Sequence, residues 1–81
     1  MAFIRKRQKE LEKQEKAILR SLGKKIAELA AKQKISIERL GYEAGISKGY
    51  IYDIVKGTAN PTVLILHRLA STLDVKTSSL L

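Results

Sequence analysis

An all-α fold is what this sequence predicts, and three observations carry the prediction. Apolar residues recur at helical spacing, as in Leu22, Ile26 and Leu29 and again in Leu66, Leu69, Ala70 and Leu73. Ser36, Ser47 and Thr62 each stand just before such a run, where a side-chain oxygen can accept from the first unpaired amides of a helix. No stretch alternates apolar and polar residues as a half-buried strand would, and there is no internal repeat.

From about Gln8 to Lys34 there is no proline, and Gly23 is the only glycine. Ile4, Leu11 and Ile18 recur every seven residues, and Leu22, Ile26 and Leu29 continue an apolar stripe. Residues 8–19 are mostly Lys, Glu and Gln, which form helices well, with Glu12 and Lys16 suitably spaced as an ion pair. The pattern fits one long helix, or two hinged near Ser21-Leu22-Gly23, or a segment before Leu22 that is disordered in isolation. From Leu22 to Lys34 the helix is expected to bury Leu22, Ile26, Leu29 and Ala30.

Residues 36–57, SIERLGYEAGISKGYIYDIVKG, are the most informative part of the chain. Ser36 opens a short helix with Glu38 in its first turn, where the helix dipole favours an acid, and with Leu40 and Ala44 on one face. Ser47 opens a second, with Ile51, Ile54 and Val55 on one face. Gly45 lies between them, where a left-handed backbone turn costs glycine little. Two short helices joined this tightly describe a helix-turn-helix, whose second helix can enter a DNA major groove. Gly57 then stops the helix, and Asn60-Pro61 disfavours helical geometry before Thr62 caps a fourth helix, Val63–Leu73. Thr77 or Ser78 starts a final turn that ends in Leu80 and Leu81.

Eighty-one residues make one small domain with a marginal core. There is no cysteine, which excludes disulfides and thiolate metal sites and suits a reducing cytoplasm. The longest strongly apolar run, Val63–Leu66, is far too short to cross a bilayer, and no signal-peptide pattern follows the basic Arg5-Lys6-Arg7. A cytoplasmic protein is expected. The net charge is +8, and nine of the sixteen Lys and Arg fall within the first twenty-five residues against three Glu. Such a field suits DNA, RNA or an acidic surface as partner, or a helix kept soluble by its lysines.

The pattern resembles the lambda-repressor-like (XRE/Cro) helix-turn-helix domains. The resemblance covers residues 22–81 and rests on Leu22-Gly23-x-x-Ile26, Leu40, Ala44-Gly45-Ile46-Ser47, Ile51, Ile54, Gly57, Asn60-Pro61, Leu69-Ala70-x-x-Leu73 and Leu80. It implies a five-helix domain that binds DNA as a two-fold dimer, preceded here by a basic N-terminal helical extension over residues 1–21. Carried over by position, the recognition helix is Lys48–Lys56. Lys48, Gly49 and Asp53 fall where family members read base edges, and Ser47 and Lys56 where they touch phosphate. Tyr52 projects from the same side. Lysine donates to guanine O6 and N7, and aspartate accepts from cytosine N4 but otherwise repels phosphate. Two departures stand out. Ile37 replaces a glutamine that often contacts phosphate. Ala30 and Val55 replace a buried Arg–Glu pair, a joint loss that leaves no charge stranded.

Other readings compete for particular residues. Tyr42, Tyr50 and Tyr52 suit an aromatic surface for RNA bases, but rings covering the core with their hydroxyls in water are the plainer reading for Tyr42 and Tyr50. His67 has no cysteine or acidic cluster beside it, so neither a metal site nor a cofactor is expected. Leu64 and Ile65 suit a dimer surface with Leu80 and Leu81, although core packing is the plainer role for Ile65. Arg5, Lys6 and Arg7 suit either a minor-groove arm or a solvated tail. No nucleophile–base pair, phosphate-cradling loop or paired carboxylates suggest an enzyme. The leading expectation is a homodimeric, sequence-specific regulator that binds double-stranded DNA. With the last predicted element leaving no room for a ligand-sensing domain, its control is expected to come from concentration, a partner or proteolysis. The rivals are a protein-interaction module, such as an antitoxin or adaptor using Ile4, Leu11 and Ile18, and a non-specific nucleic-acid binder.

Overall fold

The computed structural model describes the backbone of residues 2–81 and side chains from Arg7 onward. Its order is α1 (Ala2–Lys32), α2 (Ile37–Ala44), α3 (Lys48–Lys56), α4 (Val63–Thr72) and a 3-10 turn, Thr77–Leu80. Described residues therefore contain four α-helices, not the five expected. The expected fifth is instead a single 3-10 turn of four residues, a form that occurs in short pieces. Leu80 nonetheless plugs the core from it, 1% exposed.

No hinge interrupts α1, which runs unbroken through Ser21-Leu22-Gly23. Gly23 has a packing role instead. A Cβ there would lie 2.6 Å from the Ile54 carbonyl oxygen and still closer to that of Val55, so the missing side chain lets α1 cross the end of α3 backbone to backbone. Beyond this crossing the first half of α1 projects from the globule, giving a longest dimension of 48 Å.

The core gathers Leu22, Ile26 and Ala30 of α1, Leu40 and Ala44 of α2, and Ile51 and Ile54 of α3. Leu66, Leu69 and Ala70 of α4 complete it with Ile46, Leu73 and Leu80. Leu29, expected inside, is half-buried, as are Tyr50, Val55 and Ile65 against the cluster. No charged or polar residue is buried among the described ones. Ala30 and Val55 accordingly meet the interior as apolar groups where a buried ion pair would have needed full compensation.

The starts of α2, α3 and α4 are specified in one way. The amides of Arg39, Tyr50 and Ile65 donate to the hydroxyls of Ser36, Ser47 and Thr62. At the other ends, paired backbone bonds of the Schellman type close each α-helix: Ile35 N–H to Ala30, Ile46 N–H to Gly41, Thr58 N–H to Asp53 and Val75 N–H to Ala70. Glycine supplies the required left-handed residue at Gly45 and Gly57, with φ 73° and 81°, whereas Lys34 and Asp74 adopt it at 59° and 55°.

Candidate nucleic-acid interface

The turn between α2 and α3 is set by two glycines. Gly45 supplies the left-handed step. Gly41, buried in α2, lies where a Cβ would come within 2.7 Å of Ile51 Cγ2, so α2 and α3 pack without an intervening side chain. Pinned there, α3 buries Ile51 and Ile54 and turns its other side out. Gly49, Tyr52, Asp53 and Lys56 follow one another at i, i+3, i+4 and i+7 along that outer side, and all four are exposed.

The predicted site residues divide as follows. Ser47 is exposed but already engaged, accepting the Tyr50 amide at 3.3 Å as the cap of α3. Lys48 starts the helix and reaches across to α2, its Nζ 3.7 Å from Glu38 Oε1. Gly49 faces open space, with nothing within 4 Å of a built Cβ. Tyr52 is 37% exposed. The Asp53 backbone carbonyl accepts from the amide and hydroxyl of Thr58, while its carboxylate has no partner among the described residues. Lys56 is exposed in the last turn, where a cation suits the helix dipole. Arg7 is exposed on the projecting part of α1, far along the chain from this cluster. The side chains of Ile4, Arg5 and Lys6 lie outside the described residues.

Two features escaped the sequence reading. Tyr42 does not cover the core: it is 84% exposed. With Glu38, Arg39, Glu43, Ile46 and Lys48 it lines an open groove of about 710 Å³ between the starts of α2 and α3. The helical spacing already held the signal, because Tyr42 lies half a turn from Leu40 and Ala44. Glu38 was read only as a dipole-compensating acid, yet the turn places it opposite Lys48. Arg39 and Glu43 close the set with an exposed i, i+4 pair at 3.2 Å.

A model of the helix-turn-helix family HTH_3, the XRE/lambda-repressor-like group, matches residues 26–80, about two thirds of the chain. The chain belongs to this family. Among solved structures, the restriction-modification controller protein C.AhdI from Aeromonas hydrophila is similar at 26% identity and a TM-score of 0.78. That match covers 80% of this chain and 98% of the controller. The clp gene regulator ClgR from Corynebacterium glutamicum matches at 16% identity, TM-score 0.74, over 78% of this chain and 67% of its own. An HTH_3 family transcriptional regulator from Vibrio cholerae matches at 21% and 0.75, over 82% of this chain but only 37% of the regulator. These last two likenesses concern the fold. No curated protein matches in sequence. The family and these neighbours are regulators, and the chain is not an enzyme.

Proposed function

We propose that this protein is a sequence-specific, DNA-binding transcriptional regulator that reads the major groove with α3 and works in the cytoplasm as a homodimer. The observation that carries the reading is the division of α3 into a fully buried side, Ile51 and Ile54, and an exposed side carrying Gly49, Tyr52, Asp53 and Lys56 next to Lys48. Membership of the helix-turn-helix family supports it, as does the similarity to a controller protein that is matched over 98% of its own length. Residues 22–81 form the DNA-binding unit and residues 1–21 an extension that brings further positive charge.

Each residue then has a task. Lys48 and Asp53 read base edges, Lys48 exchanging its weak exposed pairing with Glu38 for guanine acceptors and Asp53 accepting from cytosine N4. Tyr52 lies against sugar or a thymine methyl group. Gly49 lets the backbone approach closely, and Ser47 and Lys56 hold phosphates. Arg5, Lys6 and Arg7 add long-range attraction from the extension. Two copies place their α3 helices about 34 Å apart, one duplex turn, on a pseudo-palindromic site. The exposed Val63, Leu64 and Leu81 are the apolar residues available for that pairing, whereas Leu80 is used up in the core.

Selection from a random duplex pool tests the reading, followed by titrations at several salt concentrations. Lys48→Ala is expected to relax base preference, and Lys56→Ala to weaken binding evenly while lowering the salt slope by about 1. Equal affinity for every sequence, with only a salt dependence, would refute specific readout. A second reading, capture of a protein partner by the extension, is favoured by Leu11 and Ile18, exposed along α1. Ile18 also borders a groove of about 440 Å³ with Leu22, Leu80 and Leu81. Leu11→Lys with Ile18→Lys separates the two, since it abolishes partner capture and leaves base preference intact.

A further inference from the structure

We infer that the projecting half of α1 is a second phosphate-binding surface, a cationic stripe that follows the duplex backbone past the segment occupied by α3. The inference rests on the proposed reading that α3 faces DNA. Lys9, Lys13, Lys16, Arg20 and Lys24 recur at i, i+4, i+7, i+11 and i+15, and all five are exposed. At about 100° per residue they fall within an arc of roughly 80° on one side of the helix. Ala17 and Ile18 lie outside that arc. So do all three acids of this segment, Glu10, Glu12 and Glu15.

A merely solvated helix has no need to segregate its charges. Lysines kept for solubility interleave with glutamates around the whole circumference and form i, i+4 pairs with them. Glu12 is spaced to pair with Lys16, but the ion pairs among the described residues are Arg39–Glu43 and Lys48–Glu38, and neither involves the stripe. Its five charges stay available to an outside polyanion.

The stripe is also tied to α3. A Cβ on Gly57 would lie 2.9 Å from Arg20 Cα and 3.0 Å from its Cγ, so Arg20 backs directly onto the residue that follows Lys56. Positive charge therefore continues from the end of α3 onto Arg20 and outward through Lys16 and Lys13 to Lys9. From Lys9 to Lys24 the helix spans about 22 Å at 1.5 Å per residue. One strand of a duplex presents about six phosphates over that length. The partner is a backbone rather than bases because the face offers only ammonium and guanidinium groups, with no amide or aromatic side chain to read or stack upon.

Two full-length variants with the same net charge test this on a mixed-sequence 40-base-pair duplex. The first carries Lys9→Gln, Lys13→Gln and Lys16→Gln, leaving Arg20 in its contact with Gly57. The second carries Lys25→Gln, Lys32→Gln and Lys76→Gln, three exposed lysines outside the stripe. Glutamine keeps helix propensity nearly unchanged, and circular dichroism verifies that both variants stay folded. The stripe variant is expected to lower the slope of log affinity against log salt by about 2 to 3, at about 0.9 per phosphate released. The control variant is expected to lower it by less than about 1. An equal fall in both would make the effect one of net charge and overturn the stripe, and an unchanged slope in the first would overturn it too. Specific readout fails separately: were the selection to yield no preferred sequence while the stripe variant still lost its slope, that reading would fall and the stripe would stand.

Discussion

Gly49→Ala separates what α3 needs for folding from what it needs for binding. Gly49 is the second residue of α3, has an ordinary helical backbone, and leaves a new methyl group with nothing within 4 Å. Alanine relieves the backbone-entropy penalty of glycine in a helix, which amounts to about 0.5–1 kcal/mol. For a domain this small the melting temperature should rise by about 2–8 °C. The same methyl group points outward from the proposed groove-facing side, where a duplex backbone or base edge would lie in close contact. Overpacking there costs about 1–3 kcal/mol, so affinity for the selected duplex should fall at least about fivefold. Thermal melts by circular dichroism and fluorescence anisotropy on one preparation read both quantities. A more stable protein with unchanged DNA affinity would refute the close-approach argument, and an unchanged or lower melting temperature would refute the helix argument.

Gly23→Ala should behave in the opposite way, losing about 1–3 kcal/mol of stability because the added carbon collides with the Ile54 and Val55 carbonyls; urea melts measure it. Ser47→Ala removes the acceptor of the Tyr50 amide and should cost about 1 kcal/mol in the same assay, with a loss of DNA affinity beyond that only if the hydroxyl also meets a phosphate. Lys34→Gly should raise stability by about 0.5–1 kcal/mol, since φ 59° strains a lysine and suits glycine; a drop in the urea midpoint would show that the side chain contributes something else.

Much of the fold was legible because its instructions are local. Ser36, Ser47, Thr62, Gly45 and Gly57 announce helix ends by chemistry that acts within one turn, and the spacing of Leu40, Ala44, Ile51 and Ile54 gives the buried sides directly. What escaped depends on neighbours distant in sequence. Gly23 reads as a weak point in a helix until α3 is laid across it. The left-handed ends at Lys34 and Asp74 carry no glycine signal; each precedes a residue, Ile35 or Val75, packed against the core. A run of four residues before Leu81 could not be told from a short helix, because the turn exists to seat Leu80. The candidate interface was legible to the same degree. The outward side of α3 follows from the inward one, whereas Glu38 opposite Lys48 required the angle between two helices.

The unbroken α1 makes the molecule a lever with a defined fulcrum. Gly23 leaves no clearance against α3, so a sideways force on the far end of the rod cannot dissipate in a flexible joint. It arrives as torque on the peptide groups of Ile54 and Val55. Anything that grips the outer length of α1, whether a nucleic acid or another protein, thereby tilts the element proposed to do the reading.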